Sequence, residues 1–538
     1  MRPIEHFEVP HLALLKSAVS RVLAEHQGDA SNGAGFDSDH PLMVGTDLYC
    51  HAFETNTEIP EPAEDKGDDP EVQAYLAQMH HRRVHAHITG DTALEATLAA
   101  QTARFKFGNP LWQQMFVQYY KYYWQYPWHE GRQPVYRSWS DETGGKGDLA
   151  YGTIAWRLPA KARVAIVGDI GTGTDEAAAV LLSALSFHPD AILHLGDVYF
   201  SGTEHEVQDR FVAMVRDVMQ KSGQHLPFFT VPGNHEYFTG GTALLKALDS
   251  GDLVATPEQQ QHASYFCLRT EDDGWQFLGL DTGYYGHYMN VAGGAAAATL
   301  EKLHLGPVQT PVHDNPHWPR KRNPYFGNGN PDLPQEDTSV PAAQVSVRSD
   351  EAEWHNDKLA NFPGRAVLLS HHQLYSALDV CGVAQKTAAG ATTPDPTDPN
   401  RIWVNTALWR LFGPAFGDKV AAWLWGHEHN LNIFQCNYRP ANWPAGTPEM
   451  DTVFKTLPKG RCAGHSAIPV AEGEAPYAVK YPVPQEPPGI TLGLTDGWYN
   501  HGFELMELNG RGNPARLRYY QVAGVDPTPR LLFEEDVH

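Results

Sequence analysis

The sequence has few basic residues for its length. Its 538 residues include 40 Lys and Arg against 64 Asp and Glu, which gives a formal net charge of −24 and a pI near 5.5. Proteins that bind nucleic acids in general carry a basic patch or stripe. The charge balance therefore argues against a long nucleic acid as a partner.

Paired cysteines and long apolar runs are also absent. The five cysteines are scattered, odd in number and form no CxxC motif, which argues against a disulfide framework and against a zinc ribbon. No stretch has the length of a transmembrane helix, and no N-terminal segment has the basic-then-apolar pattern of a signal peptide. We therefore expect no membrane span and a cytoplasmic protein, with leaderless export as the alternative. The oligomeric state is left open.

The length predicts more than one domain. Residues 1–155 predict a helical, aromatic-rich N-terminal domain of unknown role. Within it, residues 9–26 have the apolar spacing of an amphipathic helix, and residues 109–131 are dense in Trp and Tyr. Such an aromatic run is typical of a helix packed against a neighbouring domain, and the alternative is a platform that stacks sugars or bases.

The sequence pattern of residues 156–538 predicts strands, loops and helices in alternation. Short apolar runs each end in a turn rich in Gly, Asp, Asn or His, at residues 163–169, 191–197, 227–235, 277–282, 365–372 and 421–429. Helical patterns cover residues 175–186 and 205–221. This alternation predicts an α/β fold, in which ligands bind beyond the carboxyl ends of the strands.

Two further segments complete this second domain. Residues 286–345 are rich in Gly, Pro and Asn, and they predict a long insertion that is either a lid over the site or a plain surface excursion. Residues 501–524 alternate like a β-hairpin that closes the sheet.

The turns after the predicted strands carry oxygen and nitrogen ligands. Alone, an Asp or an Asn-His pair in a turn is usually a turn or helix cap. Together the turns supply two carboxylates, one amide and three imidazoles, a set that suits one or two Fe, Mn or Zn ions. Two such cations can share a carboxylate and a hydroxide that attacks phosphorus in line. The candidate ligands are Asp169, Asp197, Asn234, His371, His427 and His429.

The first of these turns has an alternative interpretation. Gly171 and Gly173 begin a GxGxxG pattern that would cradle the phosphates of a dinucleotide at a helix N-terminus. However, Glu176 occupies the place of the third glycine, and Asp175 would stand beside it near the pyrophosphate. The turn therefore favours a carboxylate aimed at a metal.

The ordered series GD, GD, GNHE, H and GHxH resembles the calcineurin-like metallophosphoesterase superfamily over about residues 160–470. The blocks GDVYFSGTEHEVQDRF, GNHE, LLSHHQLYS and GHEHNLNIF are similar to those of purple acid phosphatases. The resemblance implies a four-layer αββα sandwich with a binuclear metal centre in its cleft, to which residues 1–155 would add an N-terminal extension domain. It also implies hydrolysis of a small phosphorylated substrate, most of all a phosphomonoester, by in-line attack of a metal-bound hydroxide.

The resemblance also implies a role for each candidate ligand. The first metal would take Asp169 and His429, the carboxylate of Asp197 would bridge both metals, and the second metal would take Asn234, His371 and His427. Two further histidines would act on the substrate. His235 would stabilise charge on the transferring phosphoryl group or protonate the leaving oxygen, and His372, which follows a ligand, would face the substrate.

The first-metal site departs from the common pattern. Most of the superfamily has a histidine ligand where this chain has Gly171, whereas purple acid phosphatases have a tyrosinate three residues after the bridging aspartate. That position is Phe200 here, and Tyr199 lies one residue earlier. Either Tyr199 reaches the metal, or the site has three protein ligands plus water. The alternation of side chains on an extended segment favours the second reading, which weakens the case for a ferric, purple centre.

Two other functions fit the sequence less well. One is a phosphodiesterase that acts on a small or cyclic nucleotide or on a lipid headgroup. The other is a partner-binding protein whose metal site serves structure, with the aromatic run and the insertion as its interaction surface.

Overall fold

A computed structural model describes most of the chain. It covers residues 7, 9–27, 39–55, 57–105, 111–125, 134–139, 152–286, 345–377, 405–417, 419–436, 457–474, 476–477 and 485–538. The insertion predicted at about residues 286–345 lies outside the described residues, except for its first and last residue.

The N-terminal part of the described chain is helical, as predicted. Its helices are α1 (Pro10–Gln27), α2 (Pro41–Glu54), α3 (Pro70–Thr89), α4 (Thr92–Thr102) and α5 (Trp112–Gln125). They enclose an apolar core of their own, to which α1, α2, α3 and α5 all contribute buried side chains. The predicted amphipathic helix is α1.

The aromatic run forms helix α5 and packs into this N-terminal core. Trp112, Met115 and Tyr119 are almost fully buried there, and the Trp112 indole N–H donates a hydrogen bond to Gln73 Oε1 at 2.6 Å. The run therefore forms a packed helix, but these residues pack into the core of the N-terminal helices themselves and not against a neighbouring domain, the partner that the sequence favoured.

The rest of the described chain contains two six-stranded sheets. The strands are β1 (Arg163–Val167), β2 (Ala191–His194), β3 (Phe228–Thr230), β4 (Phe266–Arg269), β5 (Trp275–Leu280), β6 (Arg365–Ser370), β7 (Val420–Trp425), β8 (Leu431–Ile433), β9 (Lys459–Ala463), β10 (Leu494–Thr495), β11 (Trp498–Tyr499), β12 (His501–Glu507), β13 (Ala515–Ala523) and β14 (Asp526–Val537). The first sheet has the order β14-β13-β12-β1-β2-β3 and the second has the order β4-β5-β6-β7-β9-β8, while β10 and β11 form a small ribbon.

The six predicted strands are β1, β2, β3, β5, β6 and β7. The first three run parallel in the first sheet, and the last three run parallel in the second. The predicted C-terminal hairpin is β12 and β13, and β12 pairs antiparallel with β1. Parallel strands present their carboxyl ends at one edge, so the polar turns of each sheet collect on one side.

Helices cover the outer face of both sheets. The longer helices α6 (Asp175–Leu185), α7 (Ala213–Ser222), α9 (Thr242–Ser250), α11 (Ser349–Asn361) and α12 (Thr406–Phe412) share apolar cores with the sheets. The one-turn helices α8 (Asn234–Tyr237) and α10 (Gly283–Gly286) follow the carboxyl ends of β3 and β5. The predicted helix over 205–221 begins as a π-helical segment, Glu206–Val212, before it continues as α7. Among the residues described, no helix has both the length and the apolar character needed to cross a membrane.

Successive side chains on a strand point to opposite faces of its sheet, so each sheet packs against two different layers. On β1, Val164 and Ile166 join the core between the two sheets, whereas Ala165 and Val167 join the core beneath α6 and α7. Helices α11 and α12 add their apolar residues to the core of the second sheet. The fold class is therefore the predicted one, an α/β four-layer αββα sandwich with an N-terminal helical region.

Candidate metal centre

Three predicted ligands have a left-handed backbone. Asp169 follows β1 with φ 60°, Asp197 follows the second strand with φ 73°, and His427 follows β7 with φ 66°. This conformation is uncommon for residues other than glycine and is concentrated at functional sites, where the surrounding packing enforces it. All three turns lie at the carboxyl ends of parallel strands.

Gly171 brings the first two turns into contact. A Cβ atom at this position would lie 2.5 Å from the Asp197 carbonyl oxygen and 2.6 Å from Val198 Cα, so the packing leaves no space for a histidine. The Gly171 carbonyl accepts a hydrogen bond from the Tyr199 amide at 3.0 Å. The residue that replaces the common histidine therefore fixes the backbone of the tyrosine.

The Tyr199 hydroxyl lies among the predicted ligands of the first metal. Its oxygen is 2.9 Å from Asp169 Oδ1, 3.0 Å from Asp197 Oδ2 and 2.9 Å from His429 Nε2. Residues 199–201 form a turn and not an extended segment, so side-chain alternation does not apply to them. Phe200 occupies the position of the purple acid phosphatase tyrosine and is buried. Lys16 on helix α1 packs on it, with its Nζ atom 4.6 Å from the centroid of the Phe200 ring.

The other three predicted ligands form a second group. His371 Nε2 lies 3.1 Å from Asn234 Oδ1 and 3.2 Å from His427 Nδ1. The opposite ring nitrogen, Nδ1, lies 2.9 Å from the Leu195 carbonyl oxygen, where it donates a hydrogen bond. Such a bond fixes the tautomer of a histidine and leaves its other nitrogen able to bind a metal.

The carboxylate of Asp197 connects the two groups. Its Oδ2 atom lies 3.0 Å from the Tyr199 hydroxyl and 3.1 Å from His371 Nε2. Burial alone would raise the pKa of Asp197, but the charges of His371 and His235 hold it well below its usual range. In the same way burial opposes protonation of His371, yet Asp197 raises the pKa of His371 to about 9.

His235 is fully buried beside this carboxylate. Its backbone N–H donates to Asp197 Oδ1 at 3.1 Å, and its Nδ1 lies 2.5 Å from the Phe200 carbonyl oxygen. Its Nε2 lies 3.8 Å from Asp197 Oδ2. The ring is thus held at one nitrogen by the backbone while the other faces the ligands.

His372 lies on the side of the second group. Its Nδ1 is 3.1 Å from the Thr282 hydroxyl, and its ring centroid is 4.6 Å from that of His427. Ligand atoms of His371, His372 and His427 all lie within 4.8 Å of one another.

The His-x-His step does not form an extended segment. Residues 427–430 form a bend in which His427 has positive φ. Because of this bend, His427 lies in the second group, and His429 lies beside Asp169, whose Oδ1 is 3.4 Å from His429 Nε2.

The donor set fits bound metal ions. The hydroxyl of Tyr199 has one proton but lies within hydrogen-bonding distance of two carboxylate oxygens, and a cation among these atoms would satisfy both. Carboxylate, amide and imidazole donors are the ligands that Fe, Mn and Zn accept in proteins. Asp169, Asp197 and His371 are completely buried, and their ligand atoms lie within 4.8 Å of one another. Buried charge of this kind requires a counter-charge.

Sequence reasoning missed the group that supports the Tyr199 turn. Glu206, completely buried, accepts hydrogen bonds from the amides of Phe200, Ser201 and Thr203. Arg210, one helical turn later, donates to the Tyr199 carbonyl at 3.1 Å. The only available signal was a Glu and an Arg four residues apart inside a motif block, which normally indicates an exposed helical ion pair.

Comparison with known proteins agrees with this arrangement. The sequence model of the family described as calcineurin-like phosphoesterase matches residues 162–431, which is half of the chain. No individual curated protein matches the chain. The matched segment contains β1 to β7, every predicted ligand and both catalytic candidates. The chain therefore belongs to the calcineurin-like phosphoesterases, and its reaction is metal-dependent hydrolysis of a phosphoester.

Proposed function

We propose that this centre is binuclear and that it hydrolyses a phosphomonoester. The observation that carries the proposal is the position of Asp197, whose Oδ2 atom lies within 3.1 Å of groups from both halves of the ligand set. Asp169, His429 and Tyr199 would hold the first metal. Asn234, His371 and His427 would hold the second.

The metals would be two Fe, Mn or Zn ions. When bound, they would neutralise the charge of the phosphate and supply a hydroxide nucleophile near neutral pH. We also propose that residues 156–538 form the catalytic domain and residues 1–155 a separate N-terminal domain.

His235 would act on the leaving group. Because its Nδ1 proton is committed to the Phe200 carbonyl, a second proton at Nε2 makes the ring an imidazolium, which donates to the leaving oxygen or to the phosphoryl group. The carboxylate of Asp197, 3.8 Å from that nitrogen, favours the protonated form. His372, held by Thr282, would contact the substrate beside the second metal.

The contacts of Tyr199 support a centre like that of purple acid phosphatases. A phenolate oxygen among Asp169, Asp197 and His429 replaces the missing histidine at Gly171 with a different ligand. We therefore propose an acid-phosphatase-like enzyme in which the tyrosine one residue before the family position binds the first metal.

Substrate class is tested by the pair p-nitrophenyl phosphate and bis-p-nitrophenyl phosphate, with Fe, Mn or Zn supplied. We expect kcat/KM to be higher for the monoester. A higher value for the diester would replace the proposal with a phosphodiesterase of small or cyclic nucleotides or lipid headgroups. No hydrolysis of either compound would favour a partner-binding protein with a structural metal site.

The variant His235→Ala tests the catalytic role of this histidine. We expect unchanged metal content and a turnover lower by about 10²-fold, because the proton donor is lost while the metal ligands remain. The matched control is His225→Ala, which removes an exposed histidine. Unchanged turnover in the His235 variant would contradict the assignment.

A further inference from the structure

A second group of histidines lies in the N-terminal helical region, outside the centre described above. His11 is on α1, and His81 and His85 are four residues apart on α3, so the last two share one helix face. One ligand atom of each of the three lies within 4.8 Å of the others. The side chains of His81 and His85 are almost completely buried, and that of His11 is 8% exposed.

A tyrosine hydroxyl lies at hydrogen-bonding distance from each of the two histidines on α3. Tyr49 Oη lies 2.6 Å from His81 Nδ1, and Tyr119 Oη lies 3.2 Å from His85 Nε2. Within the described part of the chain, the other ring nitrogen of His81, Nε2, has no hydrogen-bond partner. A ligating histidine typically has one nitrogen bonded to an oxygen of the protein and the other directed at the metal.

From this geometry we infer a further metal site, formed by His11, His81 and His85 and specific for a divalent transition metal such as Zn²⁺. Three imidazoles without a carboxylate in the group favour Zn²⁺ over Mg²⁺ or Ca²⁺, which prefer oxygen ligands. A water molecule or a neighbouring side chain completes the coordination.

The protonation state of the group suits a metal. Burial lowers the pKa of His11 to about 4, and it lowers the pKa of His81 well below its usual range. Burial thus disfavours the imidazolium form of both rings, and the neutral imidazole is the form that binds metals.

The metal would connect α1 to α3 and so hold α1 in place against the segment that follows Tyr199. On α1, the Ser17 hydroxyl donates to Glu206 Oε1 at 2.8 Å, and Arg21 lies 2.8 Å from His205 Nδ1. The middle of helix α1 thus contacts the segment that follows Tyr199, and the metal would fix the N-terminal end of the helix, which carries His11. This role is structural and does not depend on the proposed substrate.

Metal counting on the full-length protein tests the inference. The protein is stripped with a chelator, reloaded with Zn²⁺, freed of excess metal, and its zinc per chain is measured for wild type and for His81→Phe. Phenylalanine keeps the aromatic packing of the site and removes both ring nitrogens. The matched control is His80→Phe, because His80 is equally buried on α3 but stacks on Trp112 at 5.6 Å and is not part of the group.

We expect His81→Phe to lose one equivalent of zinc and His80→Phe to lose none. Equal zinc content in all three proteins would show that the three rings are only an aromatic cluster and would overturn the inference. If His81→Phe does not fold, an anomalous-difference map of zinc-loaded wild type decides, because the inference requires a peak within bonding distance of all three rings. The map also separates this site from the strand-end centre, so the failure of either proposal is visible independently.

Discussion

The Tyr199 hydroxyl reaches the carboxylates of Asp169 and Asp197 because Gly171 lets two strand-end turns touch. A side chain at residue 171 would collide with the backbone of Asp197 and Val198, and the Gly171 carbonyl holds the Tyr199 amide. The absence of the common histidine and the presence of the tyrosine are therefore two parts of one local arrangement.

The variant Tyr199→Phe removes the phenol oxygen and keeps the ring. We expect the first metal to bind more weakly and turnover to fall by about tenfold or more, since one anionic ligand is lost while its neighbours remain. With iron bound, the wild type should have a visible phenolate-to-iron absorption band that the variant lacks. The measurements are metal content, kcat and the absorption spectrum.

Tyr237→Phe is the control for this variant. Tyr237 is also buried, but its hydroxyl donates to Asp281 and not to a proposed ligand. If both variants retain metal, activity and spectrum, Tyr199 is not a ligand and the first site has three protein ligands plus water.

For individual residues, the sequence predicts which of them lie close together but not the orientation of every side chain. The strand-end turns identify Asp169, Asp197 and His371, because carboxyl ends of parallel strands share an edge. The direction of Tyr199 depends on a turn, and the separation of His427 from His429 depends on a positive φ that no periodicity reveals.

At the scale of secondary-structure elements, α1 and the π-helical segment form one polar interface. The polar side of α1 is buried as well as its apolar side, because Lys16, Ser17 and Ser20 are at most 2% exposed. Ser20 contacts Arg210, and Ser17 contacts Glu206. Burial opposes ionisation of Glu206, but the charge of Arg210 and the hydrogen bonds from backbone amides lower its pKa.

The variant Glu206→Ala breaks this interface from the side of the sandwich. It leaves Arg210 buried without its carboxylate and three amides of the Tyr199 turn without their acceptor, so we expect a loss of about 3 kcal/mol or more. We also expect lower kcat, because the turn carries a proposed ligand. Chemical unfolding and steady-state kinetics measure the two effects.

Glu204→Ala is the matched control, since Glu204 is exposed and pairs only with exposed Lys246 among the described ion pairs. We expect its unfolding free energy to change by less than about 1 kcal/mol. A Glu206 variant as stable and active as this control would show that the interface does not support the turn.

The elements themselves were largely predictable. Six apolar runs are strands and the terminal alternation is a hairpin. A strand buried on both faces is a continuous apolar run, and a strand buried mainly on one face alternates, so both patterns are local in the sequence. The packing of α1 against the sandwich was not predictable, because its partners lie about 190 residues away in the sequence, as with Ser17 and Glu206. The same limit applies to His11, whose partners are on another helix.

At the scale of the whole molecule, an ionic contact joins the two sheets. Arg461 on β9 donates to both carboxylate oxygens of Glu535 on β14, at 2.7 and 2.8 Å. Lys459 and Tyr519 bond to the same carboxylate. Burial opposes ionisation of Glu535, but these partners lower its pKa to about 2 from the usual 4.5.

This shift predicts an acid dependence of stability. A carboxylate with a lowered pKa in the folded state stabilises the protein above about pH 4.5, and the contribution disappears as the pH falls towards 2. We expect Glu535→Gln to lose about 3 kcal/mol at pH 7 and the difference from wild type to shrink below pH 4.5. Unfolding measured between pH 2.5 and pH 7, roughly the range of this titration, gives the curve.

The neighbouring variant Glu534→Gln is the control, because Glu534 is exposed and pairs with the partly exposed Arg516 and Arg518. A pH-independent difference between wild type and Glu535→Gln would mean that the contact between the sheets contributes by packing and not by charge.

The proposal of a binuclear centre at the strand ends is tested by an anomalous-scattering map of metal-loaded crystals. We expect two peaks that flank Asp197, one beside Asp169, His429 and Tyr199, and the other beside Asn234, His371 and His427. A single peak, or peaks that contact none of these residues, would contradict it.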